Sequence, residues 1–311
     1  MRQMNTETMK QDKKHFSKIG FRYLIGTILI SVVQSIAMVI MGALGESVPA
    51  IAKDYTYTFL ATMLSMYIIG FPVMALLLKK VPAQDIGEKK KMSALQLIQA
   101  VFMSLALLYF FNLIGQAITM LIGTLKQDDV TNVLGALTAS IHPLANLFII
   151  AICAPIVEEL LFRKILIDRT IKYGEFFSAI FSAFVFALYH GNLNQFIYAI
   201  PLGFFFAFIY IKTRNIRYTI ILHMIVNFFG SFVSQTLMDY SETLLGIYGI
   251  ILIMAMIVGL VLLLVHRKKL TLQKTPESGE KAPGFKTAIL NWGMGLYTLL
   301  WTVMIVIMLF V

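Results

Sequence analysis

Long apolar segments recur along this chain, and they restrict its fold more than any other feature. A helix needs about 20 apolar residues to cross the hydrocarbon core of a bilayer. Inside lipid, only helices and closed barrels satisfy every backbone polar group. We therefore predict an all-α fold, a polytopic transmembrane helix bundle with eight core helices plus a C-terminal ninth. The predicted segments are 22–44, 55–78, 93–124, 143–167, 176–190, 194–212, 217–238, 243–265 and 287–310.

The composition agrees with a membrane protein and argues against two other classes. Hydrophobic residues make up 59% of the chain and charged residues 14%, whereas soluble domains average about 45–50% and about 25%. The net charge is +10. Nucleic-acid-binding proteins typically carry a basic stripe interleaved with aromatic residues, and this sequence shows none. The predicted partners are the lipid bilayer and a membrane-associated substrate, and no nucleic acid. The sequence indicates no oligomeric state.

The loop charges predict the orientation in the cell membrane. Lysine and arginine cluster before the first predicted helix and after the second, fourth, sixth and eighth helices, while the intervening loops carry few. Cytoplasmic loops are enriched in these residues, so we expect a cytoplasmic N-terminus and an external C-terminus. The first stretch is polar and basic, and the apolar run behind it is too long for the core of a signal peptide.

The same patterns predict how the chain is divided. The segment after the eighth helix is rich in Pro, Gly and charge, which is typical of a linker. We expect a basic cytoplasmic arm at 1–21, a transmembrane bundle at 22–265 with a catalytic core at 140–235, a flexible linker at 266–286 and a C-terminal transmembrane helix at 287–311.

Charged side chains stand at the end of the fourth apolar segment. A charge at the centre of a membrane helix costs about 2.5–3.5 kcal/mol on insertion scales, so such residues are functional candidates by default. Glu159 and Arg163 are four residues apart and share one helical face, where they can form an ion pair. Glu158 points about 100° away and lacks that partner within the helix. A carboxylate without a fixed counter-ion in a low-dielectric cavity suits a general base.

Later helices add a few more polar groups at four-residue spacing. His190 follows Phe186 on one helical face, and His223 precedes Asn227 on another. Polar groups in lipid must satisfy one another, so we expect these side chains to converge with the glutamates. Counted along the helices, His190 would lie further out than Glu158, unless the short fifth segment is displaced, tilted or half-inserted.

This set of residue types fits a hydrolytic site. A glutamate can take a proton from water, a histidine can orient that water, and His and Asn donors can stabilise a tetrahedral oxyanion. No serine stands in a nucleophile elbow, and Cys153 has no neighbouring histidine in sequence, so activated water is favoured over a covalent intermediate. Pro155 removes a helical hydrogen bond to the carbonyl of Ala151 and predicts a kink that widens the cavity at Glu158.

The three motifs Glu158-Glu159-x-x-x-Arg163, Phe186-x-x-x-His190 and His223-x-x-x-Asn227, in this order, resemble those of the CPBP family. That family includes type II CAAX prenyl endopeptidases and bacteriocin-processing or bacteriocin-immunity membrane proteins, and the resemblance covers roughly 140–235. It implies a metal-independent intramembrane glutamyl endopeptidase without a cofactor. It further implies that Glu158 is the base, that His190 shares the water, that His223 and Asn227 form the oxyanion hole, and that Glu159 and Arg163 are supporting residues.

The predicted reaction is cleavage of a membrane-associated peptide or of a lipidated protein C-terminus, and peptide processing is favoured. The first alternative is a non-catalytic membrane scaffold or bacteriocin-immunity protein that uses the same bundle. A metallopeptidase would use the histidines and a glutamate as ligands, but no His-Glu-x-x-His motif is present. A secondary transporter is a further alternative, although no internal repeat is visible.

Overall fold

The computed structural model describes residues 6–275 and 282–310, and this part of the chain contains helices and no strand. The all-α prediction is confirmed. Each of the nine predicted segments contains an apolar helix, but the ninth segment is interrupted at 290–291, between Phe285–Ile289 and Trp292–Ile307. Seven helices are long and apolar enough to cross a membrane, and two apolar helices are shorter. They are α1 (Thr6–Ser47), α2 (Tyr55–Lys79), α3 (Ala94–Lys126), α4 (Pro143–Tyr173), α5 (Glu175–Tyr189), α6 (Leu193–Thr213), α7 (Ile216–Tyr240), α8 (Glu242–His266) and α9 (Trp292–Ile307). Short helices at Pro49–Lys53, Val133–Ala139 and Phe285–Ile289 lie in the connections.

The first helix is longer than the apolar segment that predicts it. It begins at Thr6, so residues 6–21 of the expected basic arm are helical. The reason is an apolar face that continues past the membrane-like segment. Phe16 and Ile19 on that face are fully buried, and the Phe16 ring lies 5.2 Å from the Phe181 ring of α5. Residues 276–281 of the expected linker lie outside the described residues.

The ninth helix is packed into the same core as the other helices. A Cβ atom added to Gly293 would lie 1.9 Å from the Ser17 carbonyl oxygen, and one added to Gly20 would lie 2.2 Å from the Met294 nitrogen. Only glycine permits this approach of α1 and α9, as at small-residue contacts between membrane helices. Tyr297 is fully buried, and its hydroxyl donates a hydrogen bond to the carbonyl of Val185 in α5, at 3.3 Å.

The short helix α5 lies inside the bundle. Ten of its residues, from Phe177 to Leu188, are buried, and side chains of α1 and α4 as well as α9 cover it. Its final residue, Tyr189, has its ring 5.3 Å from that of Phe162, which lies one turn after Glu158 in α4. The end of α5 is therefore level with the glutamates, so the displacement of the fifth segment that the sequence required is present.

Helix α4 contains two wide, π-helical segments, Asn146–Cys153 and Glu159–Ile165, on either side of Pro155 and Glu158. The predicted disturbance at Pro155 thus takes the form of widened turns. Wide turns of this kind are frequent at functional sites. Four neighbouring helices donate side-chain hydrogen bonds to carbonyl groups of these segments. The donors are Tyr23 to Leu161, Tyr67 to Ile149, Ser182 to Phe162 and Asn227 to Ile150.

Candidate active site

The polar residues singled out from the sequence come from three helices that meet around α4. Helix α4 supplies the two glutamates and the arginine, the residue that caps α5 is His190, and α7 supplies His223 and Asn227. The wide segment of α7, Phe228–Val233, begins directly after Asn227. Local periodicity predicted which of these residues share a helical face, but it did not predict the distances between side chains on different helices.

The predicted ion pair between Glu159 and Arg163 is present and entirely buried. The Arg163 Nε atom lies 3.3 Å from Glu159 Oε2, and both side chains are 0% exposed. The guanidinium carbon lies 4.0 Å from the centroid of the Phe186 ring, where a cation is attracted to the ring face. Removal of two charges from water is costly, so this pair is not explained by stability alone.

His223 lies between the two glutamates. Its Nδ1 atom is 2.9 Å from Glu159 Oε1, and its Nε2 atom is 3.7 Å from Glu158 Oε2. The imidazole is nearly enclosed, with ring contacts to Phe186 at 5.8 Å and Phe206 at 5.4 Å. The first distance is a hydrogen bond and the second is too long for one. Glu159 therefore fixes the orientation of the imidazole, and Glu158 remains free to engage a small molecule.

The sequence predicted that His223 converges with the glutamates, but not that it lies between them. His223 is separated from the glutamates by more than sixty positions, and no periodicity links residues on different helices. The two aromatic residues that hold His223 were equally hidden. Phe186 was recognised only as a neighbour of His190 and Phe206 was not singled out, because the chain has twenty-four phenylalanines.

His190 lies at the other side of the Phe186 ring. The two rings are 4.7 Å apart, edge to face, and His190 Nδ1 is 2.9 Å from the carbonyl oxygen of Phe186. A carbonyl only accepts, so Nδ1 carries the proton and donates. In the neutral imidazole Nε2 is then an acceptor. Among the described residues, no hydrogen bond joins His190 to Glu158 directly, and His190 and His223 both contact the Phe186 ring.

Asn227 makes a contact that the sequence did not predict. Its Nδ2 atom donates to the carbonyl oxygen of Ile150 in α4, at 2.9 Å. An amide nitrogen has two N–H groups, so one remains for another acceptor. Asn227 and His223 lie on the same face of α7, as their four-residue spacing predicted.

Exposure separates the residues that can meet water from those that cannot. The Glu158 side chain is 18% exposed, whereas that of Glu159 is 0% exposed. His190 and Asn227 are half-buried. Glu158 is therefore the carboxylate of the pair that a water molecule can reach, and His190 and Asn227 are partly accessible as well. Within residues 6–275 and 282–310, no group of three or more His, Cys, Asp or Glu side chains is arranged to hold a metal ion.

The chain is similar to known membrane peptidases. Residues 140–229 match the Rce1-like family, described as type II CAAX prenyl endopeptidase Rce1-like. A protein of Bacillus subtilis (strain 168) named "Putative membrane peptidase YdiL" is 27% identical over 166 residues, which cover 52% of this chain and 67% of that protein. No solved structure matches the chain. The matched family segment contains all six site residues, and the resemblance drawn from the three motifs is confirmed.

Proposed function

We propose that this membrane hydrolase of peptide bonds is a metal-independent glutamyl endopeptidase, since residues 140–229 match the Rce1-like family. The observation that supports the mechanism is the position of Glu158. It is the partly exposed carboxylate of the pair, and it faces His223 across 3.7 Å without a hydrogen bond. A base that must bind water needs this unengaged, accessible state.

The reaction follows from the protonation states of the site. Glu158 takes a proton from a water molecule while the water oxygen bonds to the carbonyl carbon of the substrate. His190 Nε2, the acceptor nitrogen, holds the second hydrogen of that water and orients it. The tetrahedral intermediate then collapses, the C–N bond breaks, and Glu158 returns its proton to the leaving amine. Atoms and protons balance without a covalent enzyme intermediate.

Two side chains are proposed to stabilise the oxyanion. His223 donates through Nδ1 to Glu159, so it would donate to the oxyanion through Nε2 as an imidazolium. Asn227 offers its second N–H group. One oxyanion donor contributes roughly 10²–10³-fold to the rate. Glu159 and Arg163 would act by holding His223.

The proposed substrates are membrane-associated peptides or lipidated protein C-termini. The family description names prenyl endopeptidases and the relative is named as a membrane peptidase, which supports membrane-associated peptides or lipidated C-termini as substrates. We favour peptide processing, with bacteriocin-type peptides as one class. We also propose a cytoplasmic N-terminus and an external C-terminus, together with the division of the chain at 1–21, 22–265, 266–286 and 287–311.

Peptide profiling of membranes would test this function. Cells that express the parent chain are compared with cells that express Glu158→Gln, which removes the base and keeps the shape. The matched control is Glu175→Gln, because Glu175 pairs with Lys212 at the surface and lies outside the site. We expect at least one peptide to be cleaved in the parent and the control but not in Glu158→Gln. If Glu158→Gln retains every peptide product and every cellular phenotype, the non-catalytic scaffold is the better account.

A further inference from the structure

One carbonyl group in α4 lacks the helical donor that its neighbours have. In the wide segment Asn146–Cys153, hydrogen bonds connect a carbonyl to the N–H group five residues later, and the Ala154 N–H donates to the Ile149 carbonyl in this way. The next carbonyl, that of Ile150, would pair with residue 155. That residue is Pro155, which has no N–H group.

Asn227 supplies the missing donor. Its Nδ2 atom lies 2.9 Å from the Ile150 oxygen, so an amide from α7 replaces the backbone N–H that proline removes. Inside a membrane a carbonyl without a partner is costly, which makes this bond a strong constraint on the amide. The bond also fixes which end of the amide faces α4, because only the nitrogen can donate.

We propose that Pro155 is a positioning residue, which holds the Asn227 amide at the site through the Ile150 carbonyl. The part of this inference that concerns the rate rests on the proposed function, since it uses the second N–H group of Asn227 as an oxyanion donor. The part that concerns the hydrogen bond does not. Pro155 thus has a structural role beyond the wide turns that flank it.

Thermal unfolding of the purified parent, Asn227→Ala, Pro155→Ala and the double variant tests the hydrogen bond. Asn227→Ala leaves the Ile150 carbonyl unpaired and should lower Tm by roughly 2–4 °C. In a Pro155→Ala background the restored N–H group can pair with Ile150, so Asn227→Ala should then lower Tm by less than half that amount. Pro155→Ser restores the same N–H group and replaces the alanine variant if that variant folds poorly.

Two control substitutions accompany this double-mutant cycle of Asn227 and Pro155. Pro201 is the proline inside α6, and the loss caused by Asn227→Ala should be unchanged in a Pro201→Ala background. Ser182 donates to the Phe162 carbonyl at 2.7 Å, and the effect of Ser182→Ala should not depend on residue 155. If Asn227→Ala costs the same Tm in the parent, Pro155→Ala and Pro201→Ala backgrounds, the proposal is overturned.

The kinetic test separates this inference from the proposed function. In an active parent enzyme, Pro155→Ala should lower kcat roughly tenfold with KM unchanged, which is less than the roughly 10²-fold expected for removal of the donor itself. In an Asn227→Ala background, Pro155→Ala should lower kcat no further. Coupling in Tm without any change of kcat would overturn the positioning role. An inactive parent would instead contradict the proposed function and leave the Tm cycle valid.

Discussion

The contact between α1 and α9 and the contact between α4 and α7 are stabilised in opposite ways. The first brings backbone atoms together at Gly20 and Gly293, and its free energy comes from close packing. The second buries Glu159 and Arg163 with His223, although buried ion pairs often stabilise less than apolar residues of the same size. A bundle built only for stability would resemble the first contact throughout. The buried polar residues between α4 and α7 are therefore better explained by a chemical role than by their contribution to stability.

The largest stability effect is expected at Glu159. Glu159→Gln removes the carboxylate that pairs with Arg163 and accepts from His223, so a guanidinium charge stays buried without its partner. We expect the free energy of unfolding to fall by about 3–5 kcal/mol, together with a loss of peptidase activity because His223 is released. Denaturant unfolding of the purified protein measures the first effect. A change below about 1 kcal/mol would mean that the buried pair does not stabilise the site.

The second prediction concerns the close contact of α1 and α9. Gly293→Ala places a methyl group against the Ser17 carbonyl and should cost about 1–3 kcal/mol of unfolding free energy by overpacking. Activity per folded molecule should be unchanged. The matched control is Gly246→Ala in α8, where an added Cβ would meet nothing within 4 Å. If the two variants were equally stable, the close contact of α1 and α9 would not contribute to the free energy of unfolding as described.

The smallest effect is expected at an ion pair outside both contacts. Glu175 Oε2 lies 2.6 Å from Lys212 Nζ, and the lysine side chain is 38% exposed. Glu175→Gln should cost about 0–1 kcal/mol of unfolding free energy, since solvent screens such pairs. The same measurement that is used for Glu159→Gln checks this value. A loss as large as that of Glu159→Gln would show that burial does not distinguish the two ion pairs.

The sequence predicted what depends on neighbouring residues along one helix. Apolar run length predicted the nine apolar helices of the described residues. Four-residue spacing predicted the ion pair between Glu159 and Arg163. The contacts between helices depend on how the bundle packs, and a single sequence carries no periodic signal for that. The position of His223 between two glutamates and the bond from Asn227 to Ile150 are of this kind. The need of polar groups in lipid to pair with one another predicted the convergence of these residues, but not its geometry.

Two further differences have a local cause. Helix α1 extends beyond the predicted apolar segment because its apolar face continues around Phe16, whereas the exposed lysines of this stretch predicted a polar arm. The first wide segment of α4, Asn146–Cys153, lies where Pro155 prevents regular pairing and where Asn227 compensates the Ile150 carbonyl. A proline in an apolar run predicts a disturbance but not its form.

The rate and stability of purified Glu158→Gln test the central claim most directly. The peptide found by membrane profiling is used as substrate, and kcat and Tm are measured on the same preparation. Loss of a general base should lower kcat roughly 10²–10⁴-fold, while Tm stays within a few degrees of the parent because Glu158 makes no hydrogen bond to His223. A variant that keeps the parent kcat would contradict the account.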